Sequence, residues 1–405
     1  MKFYSRSLMR LVGFTLLSLA PLTLSAETVR ARDLGIPFEG QPGPLNAITD
    51  IAGIEVGHIT LIEGDGALDV GKGPVRTGIT VVHPRGKASI DPVFAGWFTL
   101  NASGEMTGTT WLEERGLIDG PIAITNTHSV GVVRDASVGW MVQHGWPADW
   151  HAPVVAETYD GALNDINGFH VSREDALTAM QNASAGIVQE GAVGGGTGMV
   201  CNGFKGGIGT SSRVIELNRK SFTVGVLVQC NYNWSGRGFR LGGRMVENDL
   251  PVGQHCFTDR SIPRHVDWYP YCEQATASAD TTTEPIRDGS IIVVVATDAP
   301  LLPHQLRRVA KRPSLALGRL GSVSEDGSGD IFVAFSTANA GKIDENDFSS
   351  VEAYPNNDLS VVFRAVVQAT EEAIVNAMVA ADTSIGVAGF KVEAMPEDQV
   401  RELFK

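Results

Sequence analysis

The alternation of apolar and polar positions divides the chain into short strands punctuated by glycine, with a few amphipathic helices between them. The clearest element lies in DGSIIVVVATDAP, Asp288 to Pro300. Its apolar run Ile291–Val295 is β-branched throughout, too short for a helix and preceded by an Asp-Gly turn, which predicts a strand buried on both faces. SFTVGVLVQCN, Ser221 to Asn231, predicts a second strand that ends on a polar residue. Ile331–Ser336 predicts a third, with Ser328 and Asp330 at its entrance. Ile48, Ile51, Ile54 and Val56 fit strand, turn, strand with Gly53 in the turn. GPVRTGITVVHP and Phe94–Leu100 are strand-like, and Gly120–Val133 reads as a buried strand with a polar interruption at Asn126–His128. Ala152–Gly168 reads as an apolar strand end that delivers Glu157, Tyr159, Asp160, Asn164 and Asp165 within a few residues. Helical periodicity appears after the glycine-rich Asn101–Gly116, over 173–185, in the basic stretch His304–Gly318 and over Leu359–Ala380. Ile385–Val392 closes the chain with a last strand-like run. The span 232–289 is polar and irregular, holds Trp234 and a threonine run, and reads as a surface excursion.

The 405 residues suffice for a large core and approach the limit of one domain. The formal net charge of −14 argues against nucleic acid or an anionic membrane as partner. The basic residues Lys2, Arg6 and Arg10 precede an apolar stretch, Leu11–Leu24, and a small-residue site, Ser25-Ala26. Residues 1–26 are therefore expected to be a secretory signal, leaving a soluble periplasmic or secreted protein. The stretch is short for a membrane span, and no later segment is long and apolar enough to be one. An oxidising compartment permits disulfides among the four cysteines. Cys256 and Cys272 form the candidate pair, whose closed loop would stabilise by about 3 kcal/mol in the chain-entropy model. Cys201 and Cys230 fall in apolar strand-like runs and read as small buried residues. Neither pair has zinc-site spacing, and four cysteines allow three pairings.

Serine at the first position of a buried strand, directly after glycine, invites two readings. One is a turn serine. The other is a self-cleaving Gly289-Ser290 bond, because glycine tolerates the strained backbone that would bring the hydroxyl onto the preceding carbonyl. Cleavage would leave Ser290 with a free α-amine of pKa roughly 7.7–8.0, able to act as base for its own hydroxyl. His58, alone on an apolar strand, reads as a hydrogen-bonded structural residue. The carboxylates near Tyr159 could bind an ammonium group or calcium, or serve as turn residues, and their spacing is not that of an EF-hand. The glycine-dense stretch Gly191–Arg213 lacks the phosphate-loop and dinucleotide patterns and reads as tight turns with close backbone packing.

Seven segments in order carry a family resemblance: NAITDIAGIEVGH, PVVAETYDG, GGGTGM, FKGGIGTSSR, VGVLVQCN, DGSIIVVVATDAPL and SGDIFVAFSTAN. Together they resemble the peptidase family of L-aminopeptidase/D-esterases and β-peptidyl aminopeptidases, from about Asn46 to the C-terminal helix. The resemblance implies an α/β fold of four layers, an αββα sandwich of the Ntn-hydrolase-like, aminopeptidase/ornithine acetyltransferase type. It implies an α chain over 27–289 and a β chain over 290–405, released by cleavage between Gly289 and Ser290. Ser290 would be the nucleophile and Asn231 the oxyanion donor. Ser328 and Asp330 would form a hydrogen-bond relay, Glu157 would bind the substrate's amino group, and Tyr159 would be a second contact. No metal or cofactor is implied. The partners are short peptides or amino-acid amides with a free amino end, and the assembly is a homo-oligomer of αβ heterodimers. Two alternatives share the fold: an acyltransferase of the ornithine acetyltransferase type and a non-catalytic peptide-binding relative. The departure from the family is the long 232–289 span with its two cysteines.

Overall fold

The computed structural model describes residues 1, 29–267, 269–274, 289–343 and 347–405, so the expected signal over 1–26, Met1 apart, lies outside the described residues. Ten strands build two sheets. The first has the order β1-β2-β5-β6, from β1 (Glu55–Glu63), β2 (Val75–His83), β5 (Ile122–Asn126) and β6 (Val154–Thr158). The second has the order β4-β3-β15-β14-β10-β9, from β3 (Val93–Ala102), β4 (Leu117–Ile118), β9 (Gly207–Leu217), β10 (Lys220–Asn231), β14 (Ser290–Thr297) and β15 (Gly329–Ser336).

Alternate residues of β14 serve different layers, as the two-residue period of a strand requires. Ile291, Val293 and Val295 face one apolar cluster, and Ile292, Val294 and Ala296 face another. The second cluster lies between the sheets, where it meets Val56, Val82, Ile122, Ile124 and Ala156 of the first sheet. The cluster on the other side of β14 is covered by α4 (Pro303–Ala310), α5 (Pro313–Arg319) and α6 (Leu359–Val379). On the outer face of the first sheet, α2 (Val130–Gln143) and α3 (Arg173–Gln181) close a third cluster around Val81, Val133, Trp140 and Val155. Helix, sheet, sheet, helix: the layers are those of an αββα sandwich. A strand with helix on one face and sheet on the other has no solvent face, which is why β14 is apolar without interruption.

Smaller elements complete the chain. They are α1 (Thr109–Arg115), the hairpin of β7 (Val200–Cys201) and β8 (Phe204–Lys205), and the pair β11 (Arg240–Leu241) and β12 (Arg244–Met245). A three-stranded patch sets β17 (Phe390–Val392) between β13 (Cys256–Phe257) and β16 (Ser384–Ile385), and α7 (Glu397–Leu403) ends the chain. Among the described residues no helix is long and apolar enough to cross a membrane.

Local chemistry explains where the expected elements differ. Residues Ile48–Asp50 form a 3-10 turn rather than a strand, because the Asp50 carboxylate accepts the backbone N–H groups of Leu45 and Ala47 at 2.8 and 3.1 Å. The basic helix is two helices, since Pro313 has no amide hydrogen to continue α4 and starts α5 instead. The interruption at Asn126–His128 is a strand end. Asn126 Oδ1 accepts the Ser129 N–H at 2.9 Å, and α2 follows. The run Ile385–Val392 is broken by a turn over Val387–Gly389. The described part of the 232–289 span is not surface alone. Tyr232, Trp234, Phe239, Leu241, Val246, Leu250 and Phe257 are all buried, and the Cys256–Cys272 disulfide ties its far end. Cys201 and Cys230 are also joined, which binds β7 to β10.

Candidate active site

The first residue of β14 sits between two others at the same level of the sheet. Ser290 pairs with Asn231 on antiparallel β10 and with Gly329 on parallel β15. By strand parity Ser290 shares the side of Ile292 and Val294, and Asn231 that of Leu227, so both point into the space between the sheets. The Ser290 hydroxyl is buried and accepts the Gly329 N–H at 3.1 Å. Glycine is required at 329, where a methyl group would lie 2.6 Å from the Ser103 carbonyl and 2.9 Å from Ser290 Oγ.

Gly289 is constrained more tightly. A methyl there would lie 1.6 Å from the Asn231 carbonyl oxygen, 2.6 Å from Asn231 Nδ2 and 2.7 Å from Trp234 Nε1. The Gly289 backbone thus lies in close contact with Asn231 and Trp234. Asn231 itself is fully buried, and its orientation is settled by its neighbours. Oδ1 accepts the Val200 N–H at 2.8 Å, and Nδ2 donates to the Tyr159 carbonyl at 2.8 Å. Reversing the amide would set donor against donor and acceptor against acceptor.

Ser328 and Asp330 flank Gly329. Ser328 Oγ donates to Asp330 Oδ1 at 2.6 Å, and the Asp330 N–H donates to Asn101 Oδ1 at 3.0 Å. Burial pushes the Asp330 carboxyl up from the usual range, and the Ser328 hydroxyl partly opposes that shift. A register shift between Asp330 and Ile331 ends the regular pairing of β15 with β3 at this level.

Glu157, on the edge strand of the other sheet, is also buried. Oε1 accepts the Glu105 N–H at 2.8 Å and Oε2 accepts the Thr127 hydroxyl at 2.5 Å. Burial raises its pKa, and the two hydrogen bonds oppose the rise. Gly104 stands between this carboxylate and Gly329. A methyl on it would be 3.1 Å from Glu157 Oε1 and 3.4 Å from the Gly329 Cα. Tyr159 is exposed and its ring stacks on Trp234, 6.4 Å between centroids, while the Trp234 indole N–H donates to the Asn231 carbonyl at 3.2 Å.

One end of the sandwich therefore brings together Ser290, Asn231, Ser328, Asp330, Glu157 and Tyr159 from four strands, the turn before β15 and the loop behind β6. Other candidates stay apart. His58 Nδ1 lies 3.0 Å from Thr80 Oγ1, and burial lowers its pKa to about 4. Asp160 is held by the amides of Asn126 and Asn164, both at 3.1 Å, and burial raises it to about 6. Asp165 is bonded to His170 at 2.8 Å. Among the described residues no group of three or more His, Cys, Asp or Glu is placed to hold a metal ion. Sequence reasoning missed Thr127, Gly104, Gly329, Val200 and Trp234. The polar interruption at Asn126–His128 was the one signal for Thr127; Val200 acts through its backbone and leaves none.

Known proteins of one family are similar to this chain over nearly its whole length. The family model described as Peptidase family S58 matches residues 46–392. The beta-peptidyl aminopeptidase BapA of Sphingosinicella microcystinivorans is 57% identical over 384 residues, covering 94% of this chain and 93% of that protein. A Burkholderia sp. beta-aminopeptidase structure superposes with a TM-score of 0.78 at 43% identity, over 92% of this chain and 98% of the other. The L-aminopeptidase D-Ala-esterase/amidase of Ochrobactrum anthropi, described as a prototype serine aminopeptidase and a variant of the Ntn hydrolase fold, gives 0.78 at 43% identity, over 92% and 97%.

Proposed function

The chain belongs to peptidase family S58 and is a serine aminopeptidase of the Ntn-hydrolase fold, and from that premise we propose that it is exported, cuts itself before Ser290 and removes N-terminal residues through an acyl-enzyme on that serine. The observation that carries the reading is the packing of Gly289 and Ser290 against Asn231 at the mouth of a wholly buried strand. In the precursor, Ser290 Oγ attacks the Gly289 carbonyl carbon. The C–N bond breaks as the new ester forms, and the proton passes from oxygen to nitrogen. Water then opens the ester, leaving a Gly289 carboxylate and a Ser290 α-amine.

In the mature enzyme that amine takes the hydroxyl proton as Oγ attacks the carbonyl of the substrate's first residue. The Gly329 N–H, already on Oγ, steadies the developing alkoxide. Asn231 donates from Nδ2 to the tetrahedral oxyanion, a neutral donor in a dry site that needs no reorganisation. The leaving amine takes the proton from the Ser290 amine, and water, deprotonated by the same amine, releases the product. Asp330 and Ser328 hold Gly329 and with it the approach to Oγ. Glu157 holds the substrate ammonium, and Tyr159 lines the entrance. The names of two relatives support β-amino acids at the cleaved end. Small peptides, amides and esters with a free amino group are the substrates. Export rests on residues 1–26, and the family resemblance supports a homo-oligomer of processed heterodimers.

Intact mass spectrometry tests the scheme. The parent protein is expected as two chains, the smaller beginning at Ser290, and Ser290→Ala as one uncut, inactive chain. Processing or turnover in Ser290→Ala would overturn it.

A further inference from the structure

The glycine-rich stretch before β9 holds a group that the chemistry above does not use. Lys205 is fully buried, and its Nζ donates to the carbonyls of Met199 and Gly206, both at 2.8 Å, and of Gly196 at 3.4 Å. Among the described residues no carboxylate lies within ion-pair distance of it; burial alone brings its pKa down to about 7. An ammonium removed from water without a counter-ion is costly, and here its three donors meet three backbone acceptors.

Two of those carbonyls, Gly196 and Met199, lie in the segment leading into Val200, and the third, Gly206, follows Lys205. Lys205 is the cross-strand partner of Val200 in the β7–β8 hairpin, and the Met199 carbonyl that it holds also accepts the Gly206 N–H at 2.9 Å. The Lys205 N–H donates to the Glu393 carbonyl at 2.7 Å, fixing the hairpin from its other side. The Cys201–Cys230 disulfide joins the residue after Val200 to the residue before Asn231. The tether brings the two strands together, but a disulfide does not orient an amide. Orientation comes from two hydrogen bonds, the Val200 N–H on Asn231 Oδ1 and the Tyr159 carbonyl on Nδ2, and Lys205 bears on the first.

We propose that Lys205 is a positioning residue for the oxyanion donor: by gathering the Gly196, Met199 and Gly206 carbonyls it holds the Val200 N–H on Asn231 Oδ1 and so, with the Tyr159 carbonyl on Nδ2, keeps that nitrogen beside Gly289 at the cleavage point. This inference rests on the role given above to Asn231. The test is a double-mutant cycle of Lys205→Met and Asn231→Ala, with kcat and KM measured on an amino-acid p-nitroanilide that the parent hydrolyses. Asn231→Ala is expected to lower kcat by about 100- to 1,000-fold. Lys205→Met is expected to lower kcat at least tenfold with KM unchanged, and to lower it less than about twofold when Asn231 is already Ala. An equal loss in both backgrounds, or a change in KM alone, would overturn the role of Lys205 while leaving that of Asn231 standing. Full kcat in Asn231→Ala would overturn the role of Asn231 instead, and this inference with it. If a variant is isolated uncut, the cycle is read on the first-order rate of chain cleavage, which passes through an oxyanion of the same kind. If Lys205→Met does not fold, Lys205→Gln takes its place under the same criteria.

Discussion

Replacing Glu157 by Gln should remove one charge from the site and nothing else. Oε1 can keep the Glu105 N–H, and the Thr127 hydroxyl, both donor and acceptor, can rotate to accept from the new amide. The shape is preserved and only the partner of the substrate's ammonium is lost. Glu157 is 2% exposed, so the pair is not a screened surface bridge. Truncating one member of a buried, hydrogen-bonded charge pair costs about 2–5 kcal/mol, roughly 30- to 5,000-fold in kcat/KM. The assay compares an amino-acid p-nitroanilide with its des-amino analogue on parent and variant. The parent should prefer the amine-bearing substrate by that factor, and Glu157→Gln should bring the two rates together by slowing the first alone. A loss below tenfold, or an equal loss on the des-amino analogue, would refute the amine-binding role. The variant should also be at least as stable as the parent at neutral pH. A carboxyl whose folded pKa is raised contributes stability below its unfolded pKa and loses that contribution as pH rises through the folded value, so at pH 7 its ionisation only costs.

The same raised pKa sets a pH dependence. The 1/KM of the parent should fall as pH drops through a value above the ordinary carboxylate range, as Glu157 takes up a proton and releases the ammonium, and Glu157→Gln should lack that limb. Ser328→Ala leaves the buried Asp330 Oδ1 without its donor at 2.6 Å, which should cost about 1–3 kcal/mol in denaturant unfolding and lower kcat with KM unchanged. An unchanged kcat would remove Ser328 and Asp330 from the relay. Iodoacetamide under denaturing conditions should add nothing to the unreduced protein and four groups after reduction, since both disulfides are formed; any adduct before reduction would contradict one of the pairings.

The strands that carry the site could be read from the sequence because their surroundings leave them little freedom. A strand buried on both faces must be apolar along its length, so the polar residues at its ends, Ser290 and Asn231, stand out. The polar interruption at Asn126–His128 marked the strand end beside Glu157 without saying what it did. The family motifs then joined these ends into one set. What could not be read was anything that depends on distance through space. Tyr232, Trp234 and Phe257 look like parts of a polar excursion until the fold buries them, and Cys201 looks like a small apolar residue until β7 meets β10. Gly104 and Gly329 are ordinary turn glycines in sequence; only packing shows that a methyl on either would meet the site. Periodicity and turn chemistry are local, so the strands that carry Ser290 and Asn231, and the polar ends of those strands, follow from the residues alone. The orientation of the Asn231 amide and the company of Lys205 emerge only when the chain is folded, since both follow from backbone carbonyls and N–H groups that nearly every residue carries and no letter distinguishes.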